Sequence, residues 1–198
     1  LITHDDVFDF IVIGGGATGL GVALDAVTRG ASVALFEQDD FTKGTSSRST
    51  KLVHGGVRYL AQGDLSLVLE ALRERGLLRK NAPHLVKNQT FLIPCYRWWE
   101  GAFYTIGLIL YDLMAANLGL GRSFCIGPKR AVKTIPMLRK KGMKAGVIYH
   151  DGQFDDSRLA VNIAQTAVEA GACLLNYMKV TELIKQDGKV CGVKVMDM

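Results

Sequence analysis

Three groups of residues have types and spacings that could do chemistry. Gly14, Gly16 and Gly19 follow the apolar run Phe10-Ile-Val-Ile13 in a G-x-G-x-x-G spacing. The first glycine lets the chain turn sharply out of a strand. The second has no Cβ, so backbone can approach a pyrophosphate, and the third lets a following helix pack tightly on the strand. Glu37 comes about 20 residues later, where a carboxylate can accept both hydroxyl hydrogen bonds of a ribose diol. The third group is a polar, glycine-rich segment over residues 38–63 that holds Ser46, Ser47, Lys51, His54, Gly55, Gly56, Arg58 and Tyr59. His54 offers an acid or base, Arg58 a planar cationic fork for an anion, and Tyr59 a hydroxyl, all in one short window.

The elements that must position these groups are legible around them. Leu20, Ala23, Leu24 and Val27 recur at helical spacing, Asp25 and Arg29 are placed for an i,i+4 pair, and Gly30 is a helix stop. Ser32–Phe36 is a second apolar strand ending at Glu37. Residues 7–37 therefore read as strand, glycine turn, helix, strand and acid. That order predicts a dinucleotide site, with the helix N-terminus directing free N–H groups at phosphates. The alternative is an ordinary βαβ unit whose Glu37 is a solvated strand end. An acid rather than a base at this position disfavours a 2′-phosphate, which leaves NAD and FAD. Segment 38–63 is too long and too polar for a plain linker, and long ordered loops are usually functional. Thr45, Ser46 or Ser47 is expected to cap a short helix there, and Gly55-Gly56 to let backbone approach a flat ring.

The 198 residues are 48% hydrophobic, enough for one large core or a domain and part of another. The net charge of +5 gathers at Lys129-Arg130, Lys133 and Arg139–Lys144. It reads as a solvated basic face, or as a weaker attraction to acidic lipid headgroups. No recognition motif accompanies it, so nucleic acid is not an expected partner. Cys95, Cys125, Cys173 and Cys191 lack C-x-x-C spacing and are expected as reduced thiols. No signal peptide is visible in the first residues. Asp151, Asp155 and Asp156 miss the EF-hand spacing, so no metal site is expected and they are assigned turn and N-cap duty. The apolar stretch 102–120 is interrupted by Asp112 and Asn117, which argues against a membrane span. Trp98, Trp99, Phe103, Tyr104 and Tyr111 give it an interfacial cast; a buried amphipathic helix is the competing reading.

Further along, the sequence predicts a helix over 64–81, a strand Phe91–Tyr96 with Pro94 marking an edge, and a short helix within 129–141. A short strand Val147–Tyr149, a helix Ser157–Ala170 stopped by Gly171, and strands ending in an Asp187-Gly188 hairpin follow. The expected fold class is α/β: an FAD-binding Rossmann-type domain of the glutathione-reductase or D-amino-acid-oxidase kind, interrupted by an excursion into a cap or substrate domain, and expected to be incomplete. Residues 1–80 are assigned to the first part of that domain, 81–150 to the excursion and 151–198 to the return. One βαβ unit followed by a long excursion favours FAD over NAD.

Ile13-Gly-Gly-Gly-Ala-Thr-Gly19 through Arg29-Gly30, and Gly44-Thr-Ser-Ser-Arg-Ser-Thr-Lys51-Leu-Val-His54-Gly-Gly-Val-Arg58-Tyr59-Leu60, resemble the signatures of FAD-dependent glycerol-3-phosphate dehydrogenases. Similar blocks are Glu70–Arg75, Ala82–Leu85, Leu110–Leu113 and His150–Arg158. The resemblance runs over nearly the whole chain. It implies oxidation of sn-glycerol 3-phosphate to dihydroxyacetone phosphate, with electrons passing to quinone, or to oxygen in related oxidases. It also implies that Gly14, Gly16 and Gly19 hold the pyrophosphate and Glu37 the adenosine ribose. Ser46, Ser47, Lys51 and Leu52 would line the phosphate and flavin region, and Val180 would offer backbone to adenine. Arg58 and Tyr59 would face substrate, with His54 as a further catalytic candidate.

Members of that family are longer, so the resemblance implies that these residues are an N-terminal fragment, inactive alone. It further implies peripheral membrane contact, at the cytoplasmic face of a bacterial plasma membrane or, alternatively, at the mitochondrial inner membrane, and leaves a homodimer open. Two competing functions remain. One is another FAD-dependent oxidoreductase of the same fold, such as a glycerophosphate oxidase or an amino- or hydroxy-acid oxidase. The other is a non-catalytic FAD-binding module.

Overall fold

The computed structural model describes residues 6–198, and of Arg58, Leu60 and Ala61 the backbone alone. The chain divides into two compact units, residues 1–50 with 155–198, and residues 51–154. Residues 51–80, assigned from sequence to the first part of the cofactor domain, fall in the second unit.

In the first unit, strands β1 (Phe10–Ile13), β2 (Val33–Phe36) and β7 (Cys173–Leu175) form a parallel sheet in the order β1-β2-β7. Phe10 pairs with Val33, Ile13 with Phe36, and Leu35 with Leu174. All four β2 residues are buried, as expected of a central parallel strand covered by helices. Helices α1 (Ala17–Thr28) and α6 (Asp156–Glu169) pack on each other and on this sheet. Ala160, Ala164 and Ala167 of α6 recur at i, i+4 and i+7, and their small side chains admit Leu20 and Ala23 of α1 closely. The expected Asp25–Arg29 pair is present and bidentate, at 2.8 and 3.0 Å. Gly30 and Gly171 end the two helices with φ of 89° and 101°. Strands β8 (Met178–Gln186) and β9 (Lys189–Asp197) form a separate antiparallel ribbon. Its Asp187-Gly188 turn has positive φ at both residues, the type I′ geometry that matches strand twist.

In the second unit, β6 (Ala145–Gln153) is the central strand. It pairs along its whole length with β4 (Lys87–Cys95), and on its other edge with β3 (Leu52–Val53) and β5 (Phe124–Ile126), all antiparallel. Pro94 sits on β4, an edge strand, where its missing N–H removes no ladder bond. Around the sheet are α2 (Val57–Gln62), α3 (Leu65–Asn81), α4 (Glu100–Ala115) and α5 (Pro128–Thr134). Helix α5 is shorter than the expected 129–141 segment because Pro136 biases Ile135 out of helical geometry; Ile135 has ψ of 93°.

Helix α3 buries Val68, Leu72, Arg75 and Gly76, while Leu65, Leu67 and Leu69 are exposed. Helix α4 and the turn after it form one 19-residue segment, Glu100–Leu118, with mean hydropathy 1.3, long and apolar enough to cross a membrane. Its inner face nevertheless packs on the unit: Tyr111 and Leu108 are buried, and the Asp112 carboxylate accepts the Ser123 N–H at 2.6 Å. Its outer face carries Phe103, Ile106, Ile109, Leu110 and Leu113 exposed, so neither expectation for this stretch describes both faces.

Candidate functional site

In the first unit β1 ends at the glycine turn, and the turn is held by three contacts from later in the chain. Gly14 donates its N–H to the Phe36 carbonyl at 2.9 Å, continuing the β1–β2 ladder into the turn, and has φ of 104°. The Gly15 N–H donates to Glu37 Oε2 at 2.6 Å. The Gly15 carbonyl accepts from the Thr42 N–H at 3.0 Å, folding the segment after β2 back over the turn. Glu37 Oε1 accepts the Asp39 N–H at 2.9 Å. The carboxylate is half-buried at the tip of β2 and lies against the glycine corner; each oxygen keeps a lone pair for a further donor.

The glycines are required for distinct reasons. A Cβ on Gly15 would sit 2.6 Å from the Phe41 ring and 2.9 Å from Glu37 Cβ. A Cβ on Gly19 would collide with the Gly14 carbonyl oxygen, so α1 approaches the turn backbone directly. Gly16, the N-cap of α1, has no side chain to cap the helix. Ser46 supplies the cap instead: its Oγ accepts the Ala17 N–H at 2.9 Å across 29 residues. Thr45–Ser47 is a single 3₁₀ turn whose N-cap, Gly44, likewise makes no side-chain cap. The expected roles are thus exchanged: Ser46 caps the main helix rather than its own, and Ser47 Oγ bonds back to the Gly44 carbonyl at 3.3 Å. The N-terminal turn of α1 otherwise presents N–H groups without intrahelical partners.

Four further hydrogen bonds, at two places, complete this unit. Met178 N–H donates to the Glu37 carbonyl at 2.7 Å and Tyr177 N–H to that of Asp39 at 3.0 Å, so the start of β8 is hydrogen-bonded beside the tip of β2. Val180 lies two residues on, paired with Val195. Asp156, buried at the start of α6, accepts from Ser49 N–H at 3.1 Å and Ser49 Oγ at 2.7 Å, tying down the segment that carries Ser46 and Ser47.

The second unit holds the remaining candidates. Lys51, with φ of 58°, gives its carbonyl to the Phe154 N–H at 3.0 Å, and Leu52 pairs with Gln153. His54 is exposed after β3, and Tyr59, also exposed, lies in the first turn of α2 with its N–H on the Gly56 carbonyl at 2.8 Å. Arg58 lies between them on α2, its side chain outside the described residues. Gly56 has φ of 72°, the left-handed conformation that turns the chain from β3 into α2. At Gly55 the need for glycine comes from within the protein: a Cβ would meet Leu72 and the Tyr111 hydroxyl. The flat-ring explanation offered by the sequence is not needed there.

Three residues that the sequence did not bring together converge under this turn. Arg75, Tyr111 and Asp151 are buried and mutually hydrogen-bonded, and the Gly55 N–H donates to Tyr111 Oη at 2.7 Å. Burial, then the neighbouring Asp151 charge, push the Tyr111 phenol far above its ordinary pKa, so it stays protonated. Asp151 is therefore not a turn residue. Asp155 does cap α6 through the Arg158 N–H at 3.1 Å. A visible signal existed: Arg75 falls at helical spacing with Val68 and Leu72, and Asp151 follows the apolar run Val147–Tyr149.

The family model described as FAD dependent oxidoreductase matches residues 9–197. The chain belongs to the FAD dependent oxidoreductases. Among individual relatives, it is 48% identical over 205 residues to the mitochondrial glycerol-3-phosphate dehydrogenase of Saccharomyces cerevisiae, covering 99% of this chain and 31% of that one. Identity to the human mitochondrial glycerol-3-phosphate dehydrogenase is also 48%, over 92% of this chain and 27% of the relative. The solved glycerol-3-phosphate dehydrogenase from Bacillus halodurans, complexed with FAD, superposes with a TM-score of 0.73 at 37% identity, covering 98% of this chain and 31% of that structure. The chain thus spans about a third of the length of these relatives. An α/β fold and FAD as cofactor, both expected from the sequence, are the properties of this FAD dependent oxidoreductase family.

Proposed function

We propose that the chain forms part of a flavoenzyme that oxidises sn-glycerol 3-phosphate to dihydroxyacetone phosphate. The observation that carries this reading is 48% identity to glycerol-3-phosphate dehydrogenases across nearly the whole chain.

In the first unit, Gly14, Gly16, Gly19 and the first turn of α1 hold the pyrophosphate, because bare backbone and N–H groups face outward there. Glu37, already buttressed by the Gly15 and Asp39 amides, accepts the ribose hydroxyls. Ser46 and Ser47 flank the phosphates, and the backbone at Val180 borders adenine. In the second unit, Lys51 and Leu52 line the flavin side. Arg58 pairs with substrate phosphate or the emerging carbonyl oxygen, which suits a planar, permanently charged group. Tyr59 donates a hydrogen bond to substrate oxygen, and a ring nitrogen of His54 takes the proton of the secondary hydroxyl. FAD, when bound, supplies the two-electron acceptor at N5 for the hydride from that alcohol carbon.

Quinone as the final acceptor and a peripheral membrane contact belong to the same proposal. Supporting the contact are the exposed outer face of α4, with Trp98 and Trp99 just before it, and the nearby cations Arg97 and Arg139 stacked on Trp99 and Tyr96. Aromatic residues beside cations suit an anionic membrane surface, and Tyr111 and Asp112 keep α4 docked rather than spanning. The relatives at 48% identity are named mitochondrial, which favours the mitochondrial inner membrane over the bacterial plasma membrane. A homodimer remains part of the proposal.

The test is anaerobic titration of the purified full-length protein. A yellow protein whose flavin absorbance is bleached by glycerol 3-phosphate, and not by amino or 2-hydroxy acids, is the expected outcome. A colourless protein, or bleaching by an amino acid alone, would overturn the reading.

A further inference from the structure

The second unit buries an arginine, an aspartate and a tyrosine together, at 2%, 3% and 1% exposure. They come from three different elements: Arg75 from α3, Tyr111 from α4 and Asp151 from β6. Arg75 Nη1 donates to Asp151 Oδ1 at 2.6 Å and to Tyr111 Oη at 3.3 Å. The Tyr111 O–H donates to Asp151 Oδ1 at 3.0 Å. A phenol has one hydrogen to give. With it committed to Asp151, the oxygen is left as an acceptor, and the Gly55 N–H takes that position at 2.7 Å.

Stability alone is a poor reason for such a cluster, because a buried ion pair is often matched or bettered by apolar residues of equal volume. Arg75 Nε even lacks a hydrogen-bond partner among the described residues. What the cluster does achieve is directional. It fixes one backbone amide, that of Gly55, between His54 and the entry to α2. The approach is close enough that a Cβ on Gly55 would strike the Tyr111 oxygen and Leu72. The next residue on β6 after Asp151 is Gly152, which pairs with Val53, so the same strand sets the register on the near side of His54. Beyond Gly55, Gly56 and the Tyr59 N–H bond begin α2.

We propose that Arg75, Tyr111 and Asp151 are positioning residues, a buried strut that holds the Gly55 amide and thereby sets where His54, Arg58 and Tyr59 stand. The effect on turnover rests on the reading that this turn serves the reacting centre; the effect on the turn itself does not. The full-length flavoprotein is compared with Tyr111→Phe, with the milder Arg75→Lys, and with Ile126→Ala, a buried change in a separate cluster of the same unit. Amide hydrogen exchange of the peptide spanning 54–59 should speed up by about tenfold or more in Tyr111→Phe and by less in Arg75→Lys, and stay unchanged in Ile126→Ala. The rate of flavin reduction by glycerol 3-phosphate should fall by about tenfold or more in Tyr111→Phe with little change in KM, as expected of a small misplacement of reacting groups.

Should Tyr111→Phe not fold, Arg75→Lys carries both measurements. Unchanged exchange at 54–59, or equal acceleration in Ile126→Ala at a matched loss of Tm, would overturn the strut. A wild-type flavin that glycerol 3-phosphate leaves oxidised would overturn the substrate reading instead, and the exchange measurement would still decide the strut.

Discussion

Glu37 Oε2 accepts the Gly15 N–H at 2.6 Å, while its other oxygen accepts the Asp39 N–H, so the acid at the end of β2 and the glycine turn at the end of β1 form one assembly. Replacement by glutamine has a definite consequence. One carboxylate oxygen becomes an amide NH₂, and in either orientation that donor faces a backbone N–H. Glu37→Gln should therefore weaken FAD binding by the full-length apoprotein about tenfold or more, each tenfold being ~1.4 kcal/mol. Titration with FAD, followed by flavin fluorescence quenching, measures this; an unchanged affinity would remove Glu37 from the site.

Gly19 and Gly21 lie two residues apart in α1 and face different surroundings. Gly19 faces the Gly14 carbonyl oxygen, which is backbone and cannot swing away, whereas a Cβ on Gly21 meets nothing within 4 Å. Gly19→Ala should lower stability by ~1–3 kcal/mol and abolish stoichiometric FAD. Gly21→Ala, inside the same helix, should raise stability by ~0.5–1 kcal/mol because alanine loses less chain entropy there. Thermal melts of the two variants should move in opposite directions.

Ser46 caps α1 from outside, its Oγ accepting the Ala17 N–H. Ser46→Ala should remove about 1 kcal/mol of stability, as at other N-caps. Ser46→Thr keeps the acceptor and should restore most of the Tm. Failure of threonine to rescue would mean that Ser46 matters through something other than this bond.

Local patterns revealed the first unit well because its signals are local. Apolar strands, the glycine spacing and the acid at Glu37 lie within 28 residues of chain, and Asp187-Gly188 encodes its own turn. The second unit was less legible. Strand β6 reads as three apolar residues, since Asp151 and His150 break the pattern, yet it is nine residues long and central. Its length is set by partners on β4 and β5 that lie from 20 positions away (Ile126 to Gly146) to 66 (Lys87 to Gln153), and no single-strand pattern records them. Helix α3 misled in the opposite sense. Three leucines point to solvent while Arg75 is buried, because the deciding fact is a carboxylate on β6, 76 residues away. Ser46 was one of three residues expected to cap a short helix of their own and caps α1 instead, a tertiary contact over 29 residues that propensity cannot register.

Glu100 gives the fold a measurable acid sensitivity. It opens α4, and its Oε2 accepts the Arg97 and Tyr96 N–H groups at 3.0 and 2.7 Å. These bonds, that of Arg97 foremost, hold its carboxyl below the ordinary 4.5. The folded state therefore favours the ionised form more than the unfolded chain does. That contribution is fully present above the unfolded value and is lost as pH falls through the depressed folded one. Helix α4 begins at this residue, so its positive N-terminal dipole acts in the same direction. In Glu100→Gln the contribution is absent at every pH. Tm plotted against pH should thus separate wild type from Glu100→Gln at neutrality and bring the two together as the pH is lowered below 4.5. Parallel curves throughout the acid range would show that the charge on Glu100 does not matter to α4.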